Sequence, residues 1–237
     1  MATNIFQDTV NQIEKFYKKH HCYKLGWRFL TCSKAVLKNN PKIAFIALNP
    51  GGNKIRDDYP SDSCEEGNAY LYEKWKKNKE QGESPLQIQV RKMFDKICEK
   101  TNYEGSGGEL LESSLSAYFV PFRSLDLDNL PHRKEAFDFG EKIWLKILKT
   151  IQPELFICID KETAKRLRRI IGTAYGLPES GSCELPTGWG SYPADIIEFG
   201  ANAEIKLLRL PHLSRFTLFT REASQEEIEN IFSQFCG

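Results

Sequence analysis

Residues 43–53 read Ile-Ala-Phe-Ile-Ala-Leu-Asn-Pro-Gly-Gly-Asn. The apolar run is short enough for a buried strand, and Asn-Pro-Gly-Gly ends it in a turn. One polar side chain, Asn49, is thereby placed at the carboxyl end of a core strand. In open α/β sheets ligands bind at that edge.

Other segments repeat the pattern of strand followed by helix. Apolar residues at 115–121, 155–159, 194–199 and 205–210 predict strands, the last two as a hairpin around Gly200-Ala-Asn-Ala. Helical spacing predicts helices over 5–17, 29–37, 69–77, 85–100, 133–151, 161–171 and 225–235. Ser84 and Pro85 form a start signal for the helix over 85–100, with Ile88, Met93, Phe94 and Ile97 as its apolar face. Residues 51–67, 104–108 and 172–192 read as loops. The order predicts an α/β fold, three-layer αβα around a central, mainly parallel four-stranded sheet. Residues 1–237 are expected to form a single domain, with 1–40 a helical extension packed on it.

Composition narrows the function classes. Thirty-three basic and 32 acidic side chains give a net charge of +1, so no global field draws the chain to nucleic acid or membrane. A polyanion would have to be held by local patches. No apolar run approaches the roughly 20 residues that span a bilayer. Residues 1–12 are polar and acid-containing, without the basic start and apolar middle of a signal peptide. The seven cysteines are scattered and include no Cys-x-x-Cys pair. They argue against a disulfide framework or a metal site and for a reducing cytoplasm.

Three predicted strand ends carry sharp polar turns: Asn49-Pro50-Gly51, Pro121-Phe122-Arg123 and Pro211-His212-Leu213-Ser214. Alone, Asn49 reads as a turn residue and His212 as a surface or capping histidine. Together the turns resemble the uracil-DNA glycosylase superfamily. Its mismatch-specific and single-strand-selective branches have a Gly-Ile-Asn-Pro-Gly-like motif after the first strand and His-Pro-Ser after a late one. Here Ala47-Leu48-Asn49-Pro50-Gly51 and His212-Leu213-Ser214 stand at those places. Tyr118-Phe119-Val120-Pro121-Phe122 resembles the second strand end, and residues 153–167 the third strand and its helix. The resemblance spans residues 43–220 in the right order.

The resemblance implies a monofunctional, metal-independent DNA glycosylase that needs no cofactor. It acts as a monomer on a flipped nucleotide and leaves an abasic site. Asn49 would orient the attacking water, an entropic effect worth about 7–11 kcal/mol at the extreme. His212 would stabilise the departing base, at roughly 3–4 kcal/mol per donor. Leu48, Pro50, Gly51, Tyr59, Tyr118 and Phe122 would form the base pocket, Tyr59, Tyr70 and Phe122 being candidates for stacking. Ser214, Arg215, Phe216, Lys161 and Arg123 would hold DNA, with Phe216 as a wedge. Two basic clusters, 161–169 and 205–221, could add a phosphate-binding face.

The chain departs from the family pattern at four points. Leu48 stands before Asn49 where Ile or Gln is usual, a small change. Leu213 replaces the proline of His-Pro-Ser, and Asp160 replaces a frequent glycine. Tyr118 lies near the position where branches of the family read uracil with an asparagine. The last departure points to a modified or damaged pyrimidine, including hypermodified viral bases, and hence to antiviral defence. The alternatives are uracil or mismatch repair, a nucleic-acid-binding module of the same fold without catalysis, and a hydrolase of free nucleosides. No Gly-x-Ser-x-Gly elbow supports a serine hydrolase.

Overall fold

The computed structural model describes residues 2–77 and 79–237. Met1, part of the expected N-terminal extension, lies outside the described residues. The chain is an α/β protein with one six-stranded mixed sheet. The strands are β1 (Ile43–Ala47), β2 (Leu115–Tyr118), β3 (Leu155–Cys158), β4 (Glu179–Leu185), β5 (Ala194–Phe199) and β6 (Ile205–Arg209). The helices are α1 (Ala2–Lys19), α2 (Ala69–Tyr72), α3 (Pro85–Thr101), α4 (Gly107–Ser113), α5 (Arg133–Leu148), α6 (Lys161–Tyr175) and α7 (Gln225–Cys236).

The sheet order is β2-β1-β3-β6-β5-β4. The first four strands are mutually parallel, and β5 and β4 add on antiparallel. The sheet therefore has two strands more than the four expected. One is β5, predicted as a strand of the hairpin and here continuing the same sheet; the other is β4, in a stretch expected to be a loop. Its sequence, Glu-Ser-Gly-Ser-Cys-Glu-Leu, is polar and mostly exposed. It becomes a strand only by pairing with β5 at the sheet edge, where polar residues guard against further association.

Strand alternation explains how the core divides. On β1, Ala44 and Ile46 join a cluster that includes Ile5, Phe6, Val10 and Ile13 of α1, Phe137 and Trp144 of α5, and Leu167 of α6. Ile43 and Phe45 join the other cluster, with Met93 and Phe94 of α3, Leu111 of α4 and Phe232 of α7. Helices thus cover both sides of β1, as its uninterrupted apolar run requires.

Local signals fixed several helix starts. Ser84 and Gln87 form a capping box at α3, with Pro85 in its first turn. Ser106 and Glu109 form another at α4, a helix that the Gly-rich segment 104–108 had hidden. The helix expected over 29–37 is reduced to a short 3-10 turn, Lys34–Lys38. Residues before it run along the outer edge of β2 instead. The Arg28 and Thr31 amides donate to the Pro121 and Ser116 carbonyls at 2.8 and 2.9 Å, and Phe29 accepts from Tyr118 at 3.0 Å. This pairing covers the sheet edge and brings Arg28 to the ends of the central strands.

Candidate active site

The carboxyl ends of β1, β2, β3 and β6 open into a cavity of about 780 Å³. Of the residues singled out in the sequence, Leu48, Asn49, Gly51, Tyr59, Tyr70, Tyr118, Arg123, Lys161, His212, Ser214 and Arg215 line it. Parallel register makes this convergence unavoidable. Ala47 pairs with Tyr118, and Cys158 with Arg209, so the turns that follow each strand emerge side by side.

Asn49 is held in one orientation. Its Nδ2 donates to the Ser124 Oγ at 2.8 Å and to the Pro50 and Phe122 carbonyls at 3.2 Å each. Ser124 Oγ itself donates to the Asp126 carbonyl at 2.7 Å, so only its lone pairs face Asn49. Three acceptors around Nδ2 fix which end of the amide is which. The other end, Oδ1, has no partner among the described residues and remains an acceptor at the cavity wall.

His212 is oriented just as definitely. The Ser214 backbone N–H points at Nδ1 from 3.3 Å, with Ser214 Oγ at 2.9 Å. An N–H donor at Nδ1 requires a bare nitrogen there, so the neutral ring carries its proton on Nε2. Partial desolvation, then the Arg215 charge, holds the imidazole below its ordinary pKa. Both causes favour the neutral ring, and the Ser214 N–H selects its Nε2–H tautomer.

The wall around these groups is aromatic and cationic. Arg123 is buried and donates to the Gly51 and Lys54 carbonyls at 2.8 and 2.6 Å, tying down the loop after β1. Its guanidinium lies 4.5 Å from the centre of the Tyr59 ring. Gly52 allows this: at φ +125° it has a backbone few other residues adopt, and a Cβ there would meet Arg123 Nη2 at 2.2 Å. Tyr118 faces the cavity while Phe119 turns into the core, as strand alternation requires. Burial, and then proximity to Tyr59, pushes the Tyr118 hydroxyl well above its ordinary pKa, so it stays protonated.

Several lining residues carried no sequence signal or a faint one. Arg28 is buried and makes a two-pronged ion pair with Glu73, one arm of which is 2.9 Å, while Nε donates to the Leu30 carbonyl at 3.1 Å. Glu73 also accepts from Trp75 Nε1 at 2.8 Å. Burial opposes ionisation of Glu73, but Arg28's hydrogen bonds and charge prevail and hold its carboxyl below the ordinary value. A lone arginine inside Gly-Trp-Arg-Phe-Leu was the only hint of this pair. Asp160 caps α6 by accepting from the Thr163 N–H at 2.7 Å, and burial raises its pKa.

Three expected site residues, Phe122, Phe216 and Pro50, do not line the cavity. Phe122 is fully buried, its ring stacked on Tyr23 at 4.2 Å and Phe16 at 5.2 Å, and only its carbonyl serves Asn49. Phe216 is 8% exposed and packs on Tyr192 at 4.4 Å, so it is no free wedge. Pro50 is buried behind the wall. The two basic clusters are largely spent on ion pairs and packing. Arg166 and Arg169 bind Glu141, Arg168 binds Glu179, and Arg209 binds Asp195. Arg221 lies on Trp189. Lys161 and Arg215, at the cavity, have no acidic partner among the described residues.

Among the described residues no three His, Cys, Asp or Glu side chains gather in a way that could hold a metal ion. None of the helices described is long and apolar enough to cross a membrane. No protein-family model and no curated protein matches this chain.

Proposed function

We propose that the protein is a DNA glycosylase of the uracil-DNA glycosylase type, which hydrolyses the N-glycosidic bond of a flipped nucleotide. The observation that carries this is the pairing of a fixed acceptor, Asn49 Oδ1, with a fixed donor, His212 Nε2–H, on one cavity. Hydrolysis of such a bond needs water aimed at the anomeric carbon and a donor for the negative charge that develops on the departing base. An amide is too weak a base to take the water's proton early, but its carbonyl can accept a hydrogen bond and hold the water in line. Bond breaking runs ahead, the sugar becomes oxocarbenium-like, and the neutral imidazole donates to the base oxygen where charge collects. A neutral donor suits this task, since it stabilises the anion without needing an acidic medium. Lys161 and Arg215 at the rim would take the flanking phosphates.

The substrate is a modified or damaged pyrimidine. Where an asparagine would read uracil, the wall presents the Tyr118 hydroxyl, and the roomy cavity has Tyr59 and Trp75 for stacking, whereas the Tyr70 ring is buried between Phe45 and Trp75. Hypermodified viral bases belong to this class, and action on them would make the enzyme a defence against viral DNA. A panel of duplexes carrying single modified pyrimidines, scored for abasic sites, tests both points. Release of a modified base in preference to uracil is expected. Release of uracil alone would refute the substrate class, and release of no base at all would refute the activity.

A further inference from the structure

We infer that Arg123 is a second group that stabilises the departing base, acting through its charge alongside the hydrogen bond from His212. This rests on the cavity being the place where a base is released. Of the cations on the cavity wall, Arg28 is neutralised by Glu73, and Arg56 pairs with Asp58. Lys161 and Arg215 lack an acidic partner among the described residues but are exposed. Arg123 differs from all four. It is buried, at 7% exposure, and has no acidic partner among the described residues. Its Nε and Nη1 donate to the Gly51 and Lys54 carbonyls, whereas Nη2 has no acceptor among the described residues. The space beside Nη2 exists because residue 52 has no side chain: a Cβ there would stand 2.2 Å away. Gly52 and Arg123 both line the cavity.

A guanidinium taken out of water without a counter-charge costs several kcal/mol. The Tyr59 ring, 4.5 Å from the guanidinium, and the two carbonyls offset part of that cost but carry no net negative charge. The rest is recovered when an anion enters, and the reaction makes one. As the N-glycosidic bond breaks, its electron pair stays on the base. Water bonds to the anomeric carbon and gives up a proton, and the base takes up a proton after it leaves. A fixed charge that meets the anion only as it forms lowers the barrier without holding the neutral substrate more tightly. Position supports the same role. Phe122 and Ser124, the two neighbours of Arg123, both hold the Asn49 amide. One three-residue segment therefore sets both the charge and the water-holding group. Burial also removes Arg123 from the exposed phosphates, which are left to Lys161 and Arg215 at the rim.

The test uses the full chain and duplexes carrying 5-substituted pyrimidines of graded acidity, with the single-turnover rate plotted against the pKa of the released base. Wild type is expected to give a shallow line. Arg123→Gln should steepen it, slowing release of the least acidic base by about tenfold or more and of the most acidic one little. Arg123→Lys keeps a charge and should bring the slope back toward wild type. Parallel lines for wild type and Arg123→Gln, including an equal slowing of every base, would mean that Arg123 only ties down its loop, and would overturn the proposal. A second readout needs no turnover. Calorimetry with free barbiturate, a pyrimidine that is anionic at neutral pH, and with free uracil, which is neutral, should show roughly tenfold tighter binding of the anion by wild type and no such preference in Arg123→Gln. No preference in wild type would overturn the proposal. The two ideas fail separately. An Arg123-dependent anion preference with no base release from any substrate leaves the anion site and refutes the glycosylase, whereas base release with parallel lines does the reverse.

Discussion

Removing the Ser124 hydroxyl should slow base release several-fold while barely disturbing the fold. Ser124 Oγ is the nearest of the three acceptors around Asn49 Nδ2, at 2.8 Å against 3.2 Å for the two carbonyls. In Ser124→Ala the amide keeps the weaker pair and loses the bond that most restricts its swing. A typical hydrogen bond contributes about 1 kcal/mol net, so the productive orientation should lose roughly that much of its advantage. At 1.4 kcal/mol per factor of ten, the chemical step should slow by about fivefold to tenfold. The fold should lose about 1 kcal/mol, roughly 2–4 °C in Tm for a chain of this size. Single-turnover base release with saturating protein isolates the chemical step, and a thermal melt reads stability. DNA affinity should be unchanged. A normal single-turnover rate beside a lowered Tm would refute the idea that the orientation of Asn49 limits catalysis.

The pH profile should report His212. Its pKa is held below the ordinary 6.5, so the neutral donor persists into mild acid and the acid limb of the excision rate should lie below pH 6.5. Any stability from this depressed pKa is present above 6.5 and fades as pH falls through the lowered value. Arg215→Gln removes one of the two causes and should move the limb upward; a limb that stays put or moves down would contradict the assignment. Glu73→Gln leaves the buried Arg28 charge uncompensated. The cost should be about 3 kcal/mol, the low end for a broken buried pair because Glu73 keeps 27% of its side chain exposed. Thermal melts should show a fall of roughly 6–12 °C, and a change below about 2 °C would rule the pair out as structural. Gly52→Ala drives a Cβ against Arg123 and should expose the loop after β1 to proteolysis, with cleavage mapped between residues 51 and 62; protection equal to wild type would contradict the tight approach.

What the sequence made legible was local. The β1 run and its Asn-Pro-Gly stop, the Ser84-Pro85 start of α3 and the β5–β6 hairpin each rest on neighbours in the chain. Asn49 and His212 were found because both follow strands that end in sharp turns. Long-range pairing was invisible. Residues 29–33 have helix-compatible composition, yet the free edge of β2 captures them. The polar β4 is a strand only because β5 lies beside it. The Arg28–Glu73 pair joins residues 45 positions apart, and nothing in either neighbourhood announces the other. Phe122 and Phe216 were misplaced for a related reason. Both sit beside functional turns, but Phe16 and Tyr23 in one case and Tyr192 in the other decide where the rings go. Ser124 carried no sequence signal, because it matters only through Asn49 of the β1 turn opposite it.

The most direct measurement is single-turnover release of a modified pyrimidine from duplex DNA by wild type, Asn49→Ala and His212→Ala, with abasic sites as the readout. The account predicts abasic product from wild type and a fall of about a hundredfold or more in each variant, with DNA affinity retained. Equal rates in all three proteins would contradict it.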